Sequence, residues 1–199
     1  DLKIAKEALR DGLWSVARSH AGRLQDKEAK LIVLESFARE GKWSEIVKSM
    51  EKWEGASSEE FLYWKALALF STGKIDESAS VIDAAKFSSP RYLRLAILLQ
   101  AEIASFKGDL KKAREIVSSI RTEDCDWQMK MRIASVFEKS GENAKAQKLW
   151  NEVVSDKAAD DEAVSVAVIK LGDEKLLRSA YSSVKTARLH RQICLKLGM

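Results

Sequence analysis

A single proline, Pro90, interrupts 199 residues. Proline removes a backbone donor and breaks helices, so its scarcity leaves nearly the whole chain free to be helical. Clusters of β-branched residues are few, while Ala, Leu, Lys, Glu and Ser are plentiful, and that balance points to an all-α protein. Long apolar runs are missing as well. A membrane-spanning helix needs about 18 uninterrupted apolar residues, and runs such as Ala96–Leu99 fall far short of that, so no helical span is expected.

Chemistry-bearing residues are equally scarce. The two histidines, His20 and His190, are far apart, and no Gly-rich phosphate loop, HExxH, GxSxG or paired-carboxylate motif occurs. His190 and Cys194 are four residues apart on one expected helix, but two ligands are too few for a zinc site. Asp160-Asp161-Glu162 reads as a helix start, because carboxylates favour a helix N-terminus. No catalytic residue, metal ligand or cofactor site is therefore assigned, and an enzyme is not expected. Cys125 and Cys194 are about two structural units apart. With helices packing at about 8–10 Å, that separation exceeds the disulfide limit of about 7 Å. Two free thiols favour a reducing, cytoplasmic compartment. A periplasmic one stays open, because the chain begins at Asp1 without Met and reads as a processed product or a module of a larger protein.

What is present is a repeat. Residues 59–90, EEFLYWKALALFSTGKIDESASVIDAAKFSSP, hold an apolar-rich run from Phe61 to Phe70, a Ser-Thr-Gly break, and a second amphipathic run from Ile75 to Phe87. Leu62, Ala66 and Leu69 fall on one helical face, and Ile75, Ala79 and Ile82 repeat the pattern. Gly73 can take a left-handed conformation and let the chain reverse. Gly recurs after each helical run, at Gly12, Gly41, Gly73, Gly108, Gly141, Gly172 and Gly198, with gaps of 29, 32, 35, 33, 31 and 26 residues. Gly12-Leu13-Trp14 parallels Gly41-Lys42-Trp43, and Ala113 and Ala146 each stand five residues after a turn Gly.

Expected helices follow in order over 2–10, 14–24, 27–39, 44–53, 61–70, 75–87, 91–107, 110–120, 127–139, 142–154, 161–171, 173–184 and 186–197. Asp26, Ser44, Ser58, Asp109 and Asp124 or Asp126 are their N-cap candidates, and residues 54–57 form a linker. No connection is long enough to mark a domain boundary, so residues 1–199 are expected to form one domain.

Ala66, Gly73, Ala85 and Pro90 carry a resemblance to the tetratricopeptide repeat (TPR), a helical hairpin of about 34 residues. Ser78 stands where that family usually has Ala, and Lys65 where it usually has an apolar residue. The resemblance covers essentially the whole chain and is TPR-like rather than strict. It implies a right-handed superhelical α-solenoid of about six antiparallel hairpins plus a C-terminal capping helix. It also implies a protein-binding scaffold whose first helices line a concave groove. Carried over position by position, the groove residues are Leu31, Glu35, Tyr63, Leu67, Phe70, Glu102, Ser105, Met131, Ser135 and Glu138. Tyr63 and Phe70 are equally suited to core packing.

Some TPR domains clamp a C-terminal carboxylate with Lys, Asn and Arg. Here the only asparagines are Asn143 and Asn151, in second-helix regions, and Glu35, Glu102 and Glu138 take the concave places. A carboxylate-clamped chaperone tail is therefore not the expected partner; a protein or peptide segment is.

A second reading comes from charge. Residues 170–199 carry Lys170, Lys175, Arg178, Lys185, Arg188, Arg191 and Lys196 against Asp173 and Glu174, a net of +5 where the whole chain has +4. Such a hairpin could meet nucleic acid or an anionic surface, and it serves equally as the solvated outer face that a terminal repeat needs.

Overall fold

The computed structural model describes residues 1–53 and 57–199. Among them are thirteen α-helices, one 3-10 turn and no strand. The helices are α1 (Leu2–Arg10), α2 (Trp14–Ala21), α3 (Lys27–Arg39), α4 (Trp43–Glu51), α5 (Glu59–Ser71), α6 (Ile75–Ala84), α7 (Pro90–Phe106), α8 (Leu110–Ser118), α9 (Trp127–Lys139), α10 (Asn143–Ser155), α11 (Asp161–Leu171), α12 (Glu174–Ser183) and α13 (Ala187–Leu197), with the 3-10 turn at Thr122–Asp124. Two compact units, Asp1–Ala96 and Ile97–Met199, divide within α7. The linker expected over 54–57 lies, except for Ser57, outside the described residues.

The seven glycines of the repeat all have φ between 69° and 84°. In that left-handed region a side chain is disfavoured, and here it reverses the chain. Five of the turns between helices close in the same way, and Gly198 at the end of α13 repeats the pattern. The amide after glycine donates to the carbonyl five residues back, as Leu13 to Ala8 at 2.8 Å, Lys42 to Phe37 at 2.9 Å, Lys74 to Leu69 at 2.9 Å, Asp109 to Ala104 at 3.0 Å and Glu142 to Phe137 at 2.9 Å. The glycine amide bonds three residues back, and together the two bonds satisfy carbonyls that a helix end leaves orphaned. The residue after glycine is then the next N-cap, with ψ of 64°, 56°, 64°, 72° and 55° in the five turns. The α11–α12 turn is shorter: Gly172 is itself the C-cap and Asp173 the next N-cap.

This geometry moves several expected boundaries. Helix α4 starts at Trp43 with Lys42 as N-cap, one residue before Ser44, because the closing bond and not a side chain sets the start. Helix α6 stops at Ala84, short of Phe87. Beyond it, the Glu59 carboxylate accepts from the Ser88 amide at 2.6 Å and from the Ser89 amide at 3.1 Å, holding the chain extended into Pro90, the first residue of α7. Where no glycine turn leads in, aspartate caps: Asp26, Asp126 and Asp160 accept from Ala29, Met129 and Ala163 at 2.8–2.9 Å. Ser58 holds the N-cap place of α5 without a side-chain capping bond.

In the first unit, contacts run α1–α2, α2–α3, α3–α4, α4–α5 and α5–α6, with α1–α3 and α3–α5 linking alternate helices. In the second they run α8–α9, α9–α10, α10–α11, α11–α12 and α12–α13, with α11–α13. Neighbouring helices thus pack pairwise. At α1–α3 the core is built from Ala5, Ala8, Ala17, Ala21, Ala29 and Ile32, small residues that let helices approach closely. Larger side chains, Leu34, Ile46, Met50 and Phe61, fill the next layer, flanked by Trp43, Trp53 and Trp64. At the C-terminal end Val168, Leu177, Ala180 and Ile193 form a core with Leu197 and Tyr181 packed against it. Helix α13 thereby places Ile193 in the same core as Leu177 of α12.

Ser78 shows why a small residue is needed on α6. Its hydroxyl is buried and donates to the Ala66 carbonyl of α5 at 2.7 Å. Replacing it with Ala should cost about 1 kcal/mol, and Ser78→Leu about 1–3 kcal/mol through overpacking, both read from urea unfolding. Around Gly73 the space for a Cβ is empty, but φ is +83°. Gly73→Ala should therefore lose about 1–2 kcal/mol from backbone strain alone, with helix content by circular dichroism unchanged.

Candidate functional site

The first helices of the hairpins, α3, α5, α7, α9 and α11, carry the expected groove residues and the cation opposite the last of them. In the first unit Leu31 packs half-buried against the Leu34–Phe61 core. Glu35 accepts from Arg39 Nη2 at 3.2 Å, and the Arg39 guanidinium lies 6.0 Å from the Trp14 ring. Leu67 and Phe70 are half-buried. Tyr63 departs from the groove expectation: it is only 3 % exposed and meets Trp64 and Tyr92 edge-on at 5.9 and 5.8 Å. Its side chain is core, because α5 is apolar on almost every side and turns this face inward. Tyr92, which sequence reasoning missed, is the more accessible of the pair. Burial raises its phenol above the ordinary value; Arg91 opposes the shift, and Glu60, Tyr63 and Glu35 reinforce it. The group is therefore a neutral hydrogen-bonding phenol around pH 7.

In the second unit the carboxylates are paired. Glu102 on α7 takes both Nε and Nη2 of Arg132 on α9, at 2.8 and 2.6 Å. Glu138 on α9 takes Lys170 on α11 at 2.9 and 3.2 Å. The partners are 30 and 32 residues apart, so each pair ties a first helix to the first helix of the next hairpin. That spacing was a signal in the sequence: a carboxylate and a cation one repeat apart on equivalent faces. Ser135 donates to the Met131 carbonyl at 3.0 Å, Met131 is half-buried, and the Ser105 hydroxyl is buried without a hydrogen-bond partner. The expected groove residues thus form two groups, one in each unit.

Because Glu35, Glu102 and Glu138 all have cations beside them, they repel an incoming carboxylate less than their bare charges imply. The asparagines that would serve a carboxylate clamp, Asn143 and Asn151, are on α10, a second helix.

Structure also redistributes the basic hairpin. Lys170 meets Glu138, Arg178 meets Glu174 at 2.8 Å, Lys185 meets Asp161 at 3.7 Å and Arg188 meets Glu162 at 3.9 Å. Three of those carboxylates precede residue 170 in sequence and escaped the count. Lys175, Arg191 and Lys196 have no carboxylate within 4.0 Å among the described residues. The positive surplus is thereby reduced to the exposed side of α12 and α13.

Elsewhere His20 lies 3.1 Å from the Asp1 carboxylate. His190 stacks on Tyr181 at 4.3 Å, with Cys194 Sγ 3.9 Å from its Nδ1. Among the described residues no group of three or more His, Cys, Asp or Glu could hold a metal, and no helix is long and apolar enough to cross a membrane.

No protein-family model matches the chain, and no curated protein matches it.

The Glu102–Arg132 pair is shielded enough to matter, with side chains 17 % and 26 % exposed. Arg132→Met should cost about 1–3 kcal/mol by stranding the carboxylate. Adding Glu102→Gln should recover part of the loss, which a double-mutant cycle in urea reads directly.

Proposed function

We infer that this chain is a TPR-like helical-repeat scaffold, an α-solenoid that binds a protein or peptide segment along the faces of its first helices. The observation that carries the reading is the set of five congruent turns with left-handed glycines and the same five-residue closing bond. Such regularity is what tandem copies of one helical hairpin produce, and stacked hairpins serve in general as extended binding surfaces. Alternate-helix contacts and the carboxylate–cation pairs one repeat apart support it further. Recognition falls, in the first unit, to the half-buried apolar positions Leu31, Leu67 and Phe70, with the Glu35–Arg39 pair on α3, and, in the second, to Met131, on the same helix as the paired Arg132 and Glu138. Faces of this kind suit an extended or helical segment with a few apolar anchors.

Tyr63 is too deeply packed to be a clean probe of binding. A photo-crosslinking residue at Glu35, Leu67 or Ser135 should capture one protein band from the native source, while the same residue at Lys48 or Ser80, on second helices, should not. Capture only from the second-helix positions would overturn the assignment of the groove.

A further inference from the structure

A cavity of about 210 Å³ opens between the end of α8, the 3-10 turn and the α9–α10 hairpin. Its apolar lining is Ile120, Phe137 and Leu149, all buried, and Ser118, Lys145 and Lys148 stand at its rim. The volume decides what can enter. Pockets for drug-sized ligands and cofactors run to about 300–1,000 Å³, whereas an apolar cavity of about 150 Å³ takes a benzene ring. The space fits one large apolar side chain.

Charge decides what must accompany that side chain. The carboxylates nearest the rim lysines are Glu142, 3.2 Å from Lys145, and Glu152, 3.9 Å from Lys148. Both are shared: Glu142 also meets Arg114 at 3.5 Å, and Glu152 meets Lys130 at 2.9 Å. Of the residues lining the cavity only Lys145 and Lys148 are charged, and each shares its carboxylate with another cation, Arg114 or Lys130. Glu152 holds Lys130 a full ångström closer than Lys148, so Lys148 is the looser partner, and its side chain is 71 % exposed. The Lys145 ammonium sits 5.3 Å from the Phe137 ring centroid. A cation over a ring face is held there by the quadrupole, which places this charge at the mouth of the apolar space.

We propose that this cavity is an anchor site for a partner polypeptide, taking one Phe- or Leu-sized side chain while Lys145 and Lys148 meet an Asp or Glu immediately beside it in the partner. Interfaces concentrate their energy in such buried apolar anchors ringed by polar contacts, and complementary charge adds orientation and association rate. The site is built on α8, α9 and α10, away from the expected groove positions, so it stands or falls independently of the groove.

The test uses the full chain and three fluorescein-labelled nonapeptides of Gly and Ser with a central Phe-Asp-Asp, Phe-Lys-Lys or Ala-Asp-Asp. By anisotropy at low salt, Phe-Asp-Asp should bind at least tenfold more tightly than the other two. Amide shifts in the NMR spectrum should cluster at Ser118, Ile120, Phe137 and Leu149. Lys145→Glu/Lys148→Glu should weaken binding at least tenfold, and Ser118→Trp, which fills the mouth from an exposed position, should abolish it. Each variant is scored only with its helix content and melting temperature intact. If the charge-reversal pair melts early, Lys145→Gln/Lys148→Gln takes its place. Equal binding of the three peptides, no binding up to millimolar concentration, or shifts located elsewhere would overturn the proposal. Phenylacetate alone competing as well as the peptide would overturn the polypeptide assignment. Groove substitutions such as Leu67→Gln should leave this affinity unchanged.

Discussion

Everything else in the molecule depends on a reversal of direction made by one residue. A helix ends with orphaned carbonyls, and a glycine in the left-handed region lets the following amide reach back five residues to close one of them. That bond sets the departure of the chain and the first turn of the next helix at once. Leu13, Lys42, Lys74 and Glu142 therefore serve as N-caps without a side-chain capping bond. Between hairpins the chemistry changes. There the start of a helix falls to Asp26, Asp126 and Asp160, or to the reach of Glu59 across to Ser88 and Ser89. Turns within hairpins rest on the backbone bond, with an aspartate cap added at Asp109 and Asp173, and several junctions between hairpins rest on side chains.

Once the helices are antiparallel, their separation is set by what stands at the contact. Alanines dominate at α1–α3, and a serine serves on α6 because its hydroxyl finds the Ala66 carbonyl. A buried hydroxyl is tolerated only when so satisfied. Bulkier Ile, Leu and Met side chains then fill the layers between. The cost of ordering long charged side chains is met at a few shielded places, Arg18–Glu40 and Glu102–Arg132 among them, whereas the exposed pairs contribute little.

The same economy of charge shapes the surfaces. Glu35, Glu102 and Glu138 on the first helices are matched by cations on the same or the next first helix, so these places are ionic in composition yet close to neutral in effect. On α8–α10 the matching is incomplete, with two carboxylates shared among Arg114, Lys130, Lys145 and Lys148. Near α13 the stretch that looks strongly basic is partly neutralised by Asp161 and Glu162 from the start of α11. Partner chemistry thus follows from which charges share a neighbourhood rather than from their totals.

Most of the helical layout was legible in the sequence, because its causes are local. The spans of α3, α9 and α11 follow from apolar spacing between an aspartate cap and a glycine, and the seven glycines marked every left-handed position among the described residues. Boundaries slipped at the start of α4, which the turn bond sets, and at the end of α6, where Glu59 holds residues 29 and 30 positions away. Tertiary structure alone decided the fate of the site residues. It sank Tyr63 into an aromatic cluster, paired Glu102 and Glu138 across hairpins, and brought Asp161 and Glu162 to the basic helix. It also brought residues 118 to 149 together around an open cavity. Periodicity tells which residues share a face, since that depends on 3.6 residues per turn. How deeply a face is buried, and which charge stands opposite, depends on the neighbouring helix, and that is settled only when the helices pack.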